Sequence, residues 1–301
     1  MLRTITVGLD GSAESRAAAE WAAREAKLRG LPLKIVHVWE PVPEPMAQAP
    51  LLGAETQQHW TERIPRETAE GLRLRHPGVD VTSEQLSGHP GTRLTEAAES
   101  AELLVLGSRA MGGVGGFMVG SVGLSTVAHT RRPVVLVRAE QQVSDEHEMD
   151  EVGIPSAATA FRPVVLGLDI HHPDDELIEF AFDAAQRRAT SLRVVHGWFP
   201  PPYYAYGMPV NPPLHEALAL SESQNLANAL RPWRHKYPDV EVVEESRYGS
   251  AALFIVDASH TASLVVVGRR VRRNPVGSHI GHVTHAVLHH STAPVAVVAH
   301  S

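Results

Sequence analysis

The chain is written twice. TITVGLDGSAESRAAAEWAAREAKLRGLPLKIVHVW runs from Thr4 to Trp39, and FRPVVLGLDIHHPDDELIEFAFDAAQRRATSLRVVHGW runs from Phe161 to Trp198. Gly8, Asp10, His37 and Trp39 recur at one offset as Gly167, Asp169, His196 and Trp198. Further on, HPGVDV at His76 returns as YPDVEV at Tyr237, AELLVLGSR as ASLVVVGRR, and RRPVVLVR as TAPVAVVA. The offset drifts by only two residues across the unit. One domain of ordinary size has therefore been duplicated in tandem, and whatever folds the first copy must also fold the second. The expected boundaries are 1–140 for the first domain and 161–301 for the second. The intervening 141–160 is acidic and polar and ends in proline and small residues, which is linker composition.

Each copy alternates short β-branched runs with helical spacing. In the first, TITVGL, LKIVHVW, VDVTSEQL, AELLVLG and PVVLV read as strands. Ala13 to Arg29, Leu51 to Arg75, a short stretch from Thr92, and a run ending near His129 read as helices. Five strands joined by helices imply right-handed crossovers and a parallel sheet covered on both faces. AELLVLG and PVVLV are apolar on both faces, as buried parallel strands should be. The expected fold is α/β, with two tandem Rossmann-like domains. Ligands in such folds sit beyond the carboxyl ends of the strands.

Two segments of the first copy meet at that edge: Val7-Gly-Leu-Asp-Gly-Ser12, and the glycine-rich GSRAMGGVGGFMVGS from Gly107 to Ser121. The latter follows a buried strand and precedes a helix. Glycine permits close backbone approach and positive φ, and a helix N-terminus presents unpaired N–H groups, a combination suited to phosphate. Ser121 is placed to cap that helix or to meet a phosphate oxygen. The loop holds no lysine, Arg109 is its only cation, and no G-x-x-x-x-G-K-[ST] is present, so it is not a Walker P-loop. Phosphates would be held by backbone amides and Ser121, which favours binding over fast hydrolysis.

The duplicated α/β unit, the VGLDGS turn and Gly107-xx-Ala110-x9-Gly120-Ser121 resemble the universal stress proteins, and in particular their tandem-domain actinobacterial members. The ATP-binding branch of that family carries G-x2-G-x9-G-[ST]. Gly107, Gly120 and Ser121 match this pattern, and Ala110 stands where the middle glycine is expected. The resemblance implies an adenine-nucleotide-hydrolase-like fold and ATP, with or without Mg²⁺, as the ligand. It implies that Gly8, Asp10 and Val38 border the adenosine, and that Gly107, Arg109, Gly120, Ser121 and Val122 surround ribose and phosphates. It further implies an internal pseudo-dimer of the two domains through their last strands, and association of chains into a homodimer.

The second copy departs from the pattern. Gly268 and Gly281 keep the glycine spacing, but Val271 stands at the Ala110 position and His282 at the Ser121 position. Gly11-Ser12 becomes Ile170-His171, while Asp169 remains. Arg269, Arg270, Arg272 and Arg273 make this loop more cationic. Nucleotide is expected in the first domain, whereas the second, with Asp169, Gly268, Arg269, Gly281 and His282 as its candidates, is left open.

Other classes fare less well. A net charge of -7 argues against a nucleic-acid surface. No long apolar run suggests a membrane span, and the start of the chain lacks a signal-peptide layout, so a cytoplasmic protein is expected. With no cysteine, thiol catalysis and thiolate metal sites are absent. His279, His282, His285 and His289 have helical spacing, but no H-E-x-x-H accompanies them, and a metal role is not expected. His37 and His196 read as packed at the core or the cleft edge. The proline-rich loops EPVPEPMAQAPLL and FPPPYYAYGMPVNPPL, the latter with Tyr203, Tyr204 and Tyr206, read as stiff loops beside the site.

The reading is thus an ATP-binding, nucleotide-responsive stress regulator and not an enzyme. Two rivals stand beside it. One is a slow ATPase or nucleotidyl transferase using Asp10 or Asp169 to hold Mg²⁺. The other is a nucleotide-free interaction protein of the same fold.

Overall fold

The computed structural model describes residues 3–40, 54–110, 117–118, 120–150, 152–154, 156–200, 212–271 and 280–300. The proline-rich loops with their tyrosines, the centre of the glycine-rich segment, Arg272, Arg273 and His279 lie outside them. The chain divides into two compact units, Met1–Gln142 and Val143–Ser301.

In the first unit, strands β1 (Thr4–Leu9), β2 (Leu33–Trp39), β3 (Val81–Ser87), β4 (Ala101–Ala110) and β6 (Val134–Arg138) form a parallel sheet in the order β3-β2-β1-β4-β6. The chain builds outward from β1 to β3, then returns past β1 to lay down β4 and β6. The topological switch point therefore falls between the carboxyl ends of β1 and β4. Helices α1 (Ala13–Arg29) and α2 (Ala54–Arg75) touch each other, as do α3 (Pro90–Glu99) and α4 (Ser121–His129). The core is the apolar interior of the strands, with Ile5, Val7, Leu33, Ile35, Leu103 and Val105 fully buried.

Local chemistry explains the helix ends. Ser12 caps α1 by accepting a hydrogen bond from Ser15 N–H, and Gly30 closes it at φ 62°. Alanines 18, 19, 22, 23 and 26 form the buried face of α1, so the helix lies close against β1 and β4. The short third helix begins at Pro90, two residues before the expected Thr92, because proline fits the first helical position, where no N–H is needed.

The described ends of the glycine-rich segment pair with each other. β4 continues to Ala110 and pairs antiparallel with a two-residue strand, β5 (Phe117–Met118), through Arg109↔Met118 and Ala110↔Phe117. Ala110 is thus in extended backbone, which alanine adopts without strain. The positive φ expected of the middle motif glycine is not required at this position.

The second unit repeats the plan. β7 (Val164–Gly167), β8 (Leu192–Trp198), β9 (Val242–Tyr248), β10 (Leu264–Arg270) and β11 (Val295–His300) lie parallel in the order β9-β8-β7-β10-β11. Helices α5 (Asp175–Arg187) and α6 (Pro212–Lys236) form one touching pair, and α7 (Ala251–Ser259) and α8 (His282–His290) the other. Asp174 caps α5 by accepting hydrogen bonds from the N–H groups of Glu176 and Leu177. The described residues between 143 and 162, a stretch expected largely as a linker, belong to this unit and are hydrogen-bonded within it. A 3₁₀ turn at Val143–Glu146 leads to a bridge between His147 and Phe161, and the buried His147 donates from Nδ1 to the Thr159 carbonyl. Acidic composition alone concealed this local hydrogen bonding.

Candidate functional site

A cavity of about 250 Å³ opens at the switch point of the first sheet. Gly8 and Asp10 at the end of β1, Val38 on β2, and Gly107 on β4 border it. Gly120, Ser121 and Val122 close it from the start of α4. Seven of the eight residues expected there are thus brought together; the eighth, Arg109, has its backbone in β4 and its side chain outside the described set. Ser12, placed at this edge by the sequence, also lines the cavity, as do Ser15, Pro90, Leu94 and Leu106, which sequence reasoning did not single out. Ser12 and Ser15 were visible as hydroxyls at a helix start; the aliphatic wall carried no signal distinguishable from core.

The two motif glycines do different work. A Cβ on Gly107 would sit 2.5 Å from the Glu14 carbonyl carbon and 2.7 Å from Ser15 N, so this glycine lets β4 meet the first turn of α1. A Cβ on Gly120 would meet nothing within 4 Å. Gly120 also has φ -59°, so left-handed backbone is not its purpose. It is the N-cap of α4, and Ser121 is the first helical residue and makes no side-chain capping bond. The expected capping by Ser121 is therefore corrected. Because the first intrahelical bond is donated by Leu124 to Gly120, the N–H groups of Ser121, Val122 and Gly123 have no partner within the helix, and all three residues line the cavity.

Asp10 faces the same space. Burial acts to raise its carboxyl, but hydrogen bonds from Ser12 Oγ at 2.5 Å and Ser12 N at 3.0 Å outweigh it and hold the group below the usual carboxylate range. His37 lies behind it, buried, donating from Nδ1 to the Leu9 carbonyl at 2.7 Å.

The second sheet carries a larger cavity, about 570 Å³, at the corresponding switch point. It falls within the roughly 300–1,000 Å³ typical of small-molecule sites. Asp169, Gly268, Gly281 and His282 line it as expected, but Arg269 does not. Side chains alternate along a strand, and Arg269 is turned into the protein, where burial lowers its pKa; its neighbour Arg270 borders the cavity instead. Gly281, at φ -64°, caps α8 as Gly120 caps α4, and His285 N–H bonds back to it at 2.9 Å. The N-terminal amides of α8 are thereby presented in the same way. Burial acts to raise Asp169, yet His172 Nδ1 at 3.2 Å and His171 N at 3.1 Å hold it low.

His196 occupies the place of His37 and donates from Nδ1 to the Leu168 carbonyl at 3.0 Å. Here the other ring nitrogen faces Glu222 Oε2 of α6 at 3.3 Å, with His171 Nε2 3.8 Å from the same oxygen. Sequence reasoning looked for clustered histidines in the last helix and passed over this group, whose members are far apart in the chain. In the last helix, the rings of His285 and His289 lie 4.4 Å apart, and burial together with His289 lowers the His285 pKa.

Similarity to known proteins agrees with this architecture. The model of the universal stress protein family matches residues 1–138 and again 160–299. A universal stress protein of Mycolicibacterium smegmatis is 31% identical over 300 residues, spanning 98% of this chain and 96% of its own. Universal stress protein Mb2028c of Mycobacterium bovis is 32% identical over 312 residues, spanning 99% and 97%. Among solved structures, a universal stress protein from Archaeoglobus fulgidus DSM 4304 superposes with a TM-score of 0.69 at 16% identity, covering 99% of this chain and 98% of that one.

Proposed function

The chain belongs to the universal stress protein family, and from that premise we propose that its first domain binds ATP and that the protein acts as a nucleotide-responsive regulator. The carrying observation is the start of α4, where the amides of Ser121, Val122 and Gly123 border a cavity that Asp10 and Val38 also line. Three aligned donors at the positive end of a helix dipole favour phosphate over water-exposed alternatives. Val36, Val38 and Leu94 give the opposite wall the apolar character that an adenine ring needs.

Turnover is not part of the proposal. Asp10 already accepts two hydrogen bonds from Ser12, and among the described residues it belongs to no group of three metal-ligating side chains. Mg²⁺, where present, would accompany the phosphates. Among the described residues no helix is long and apolar enough to cross a membrane.

The test is to denature purified protein and identify the released nucleotide by mass spectrometry, with its stoichiometry. ATP is expected from the parent chain, and Gly120→Glu should reduce it to background while the protein stays folded. An unchanged yield in folded Gly120→Glu would refute the site. Steady hydrolysis abolished by Asp10→Asn, with binding retained, would instead favour the enzymatic reading.

A further inference from the structure

We propose that the second domain holds a divalent transition-metal ion, with zinc as the best fit, on His171, His196 and Glu222. One ligand atom from each of the three side chains lies within 4.8 Å of the others. The side chains arrive from three different elements: His171 from the turn after β7, His196 from β8, and Glu222 from α6. Two are imidazoles and one is a carboxylate, a donor set that suits zinc and related ions better than magnesium or calcium.

The hydrogen bonding at His196 strengthens the case. The Leu168 carbonyl can only accept, so Nδ1 of His196 must carry the proton. In the neutral ring, Nε2 is then a lone pair, and it points at a carboxylate oxygen 3.3 Å away. His196 is only 4% exposed and Glu222 16%. Two acceptors facing each other in a nearly dry site are unfavourable unless a proton or a metal cation lies between them. A bridging cation satisfies both. The 3.3 Å separation also fits: ligands about 2.0–2.1 Å from a tetrahedral zinc are roughly 3.3 Å apart. The backbone bond from Nδ1 is the outer contact that commonly fixes the orientation of a ligating histidine.

The comparison of the copies isolates the cluster. His37 stands where His196 does and makes the same backbone bond, yet its Nε2 is buried without a hydrogen-bond partner among the described residues. Ser12 stands at the position of His171, and the offset set by His76 and Tyr237 pairs Thr61 with Glu222. The second copy therefore adds the two ligands that the first lacks. His171 and His196 both line the 570 Å³ cavity, so a three-ligand ion would keep its fourth position towards that space. A water or an anionic ligand group would complete it, beside Arg270 and the amides of α8. His171, with its side chain 60% exposed, is free to move the short distance that closes the triangle.

The experiment uses the untagged full-length chain, stripped of metal by chelation and exchanged into chelator-free buffer. Zn²⁺ is titrated by calorimetry, and Co²⁺ by its visible ligand-field absorption. One equivalent per chain is expected, with the intense absorption of a tetrahedral Co²⁺ site. Glu222→Gln and His171→Ser should each weaken Zn²⁺ by more than the roughly 10–100-fold that loss of a supporting contact costs. His171→Ser installs the residue of the first copy at an exposed position, so it remains informative if Glu222→Gln fails to fold. His285→Gln, which alters the other histidine pair, should leave the affinity unchanged. The proposal is overturned if no stoichiometric binding occurs, which would leave His196 and Glu222 as an ion pair. Undiminished binding in folded His171→Ser would overturn it equally.

Discussion

Substitutions at the motif glycines should separate packing from ligand binding. At Gly107 the added Cβ falls 2.5 Å from Glu14 C, 2.7 Å from Glu14 O and 2.7 Å from Ser15 N. All three are backbone atoms of the first turn of α1, so no rotamer change relieves the overlap, and the helix must shift away from β4. Overpacking of this kind costs about 1–3 kcal/mol. At roughly 2–4 °C per kcal/mol for a unit of this size, the first domain should melt about 2–12 °C lower. Gly268 holds the same motif position in the second copy, but its Cβ would meet His300 Nε2 at 2.8 Å and Leu177 Cδ2 at 3.0 Å. These are ends of side chains, which can rotate, so Gly268→Ala should cost less than Gly107→Ala. Gly120→Glu meets nothing at Cβ and should melt close to the parent while losing nucleotide. Calorimetric melting of the nucleotide-free proteins decides the matter. A Gly107→Ala protein as stable as the parent, or a Gly120→Glu protein several degrees weaker, would refute the assignment of roles.

Further outcomes follow from single contacts. Glu25 and Arg29 pair at 2.6 Å with side chains 1% and 5% exposed, so Glu25→Ala breaks a buried ion pair and should cost about 3–5 kcal/mol in urea unfolding. Ser12→Ala removes the α1 cap and should cost about 1 kcal/mol; the same change should raise the Asp10 pKa, readable by NMR titration. Burial acts to raise the Glu20 carboxyl, but His76 and Arg75 hold it low, as hydrogen bonds hold Asp10 and Asp169 low. Groups whose pKa is depressed by folding add stability above their unfolded values, about pH 4, and lose it as pH falls through the folded ones. The urea midpoint should therefore fall on acidification below about pH 4–5, and Glu20→Gln should make that fall shallower.

The fold was legible because its signal is repeated and its burial is two-sided. AELLVLG and PVVLV have no polar face to present, and their counterparts in the second copy say the same. The edge of the sheet was legible for a related reason: Gly8, Asp10, Gly107 and Gly120 lie at strand and helix ends, where spacing in the chain maps directly onto position. Conformation at single residues was less so. Glycine at 107 and 120 carries no mark distinguishing close packing from open space, and only the neighbouring backbone of Glu14 makes the difference. Arg269 and Arg270 look interchangeable in sequence, and strand alternation turns one inward and the other to the cavity.

The two copies show how a duplicated domain changes its chemistry without changing its frame. The helix starts behind Gly120 and Gly281 are nearly identical in backbone, with φ and ψ of -59° and 157° against -64° and 155°. What differs is the side chains that surround those amides. The first copy offers Ser12, Ser15 and Ser121, whose neutral hydroxyls leave the negative charge of a phosphate to the helix dipole. The second offers Arg270, His171, His196 and His282 around a cavity more than twice as large. Since the backbone donors are common to both, selection between ligands must come from these side chains. Exchange of Ser121 for histidine, as at His282, should then shift the ligand preference of the first cavity without disturbing α4, because position 121 makes no capping bond. Nucleotide yield and circular dichroism of Ser121→His measure the two halves of that claim, and a loss of helix would refute it.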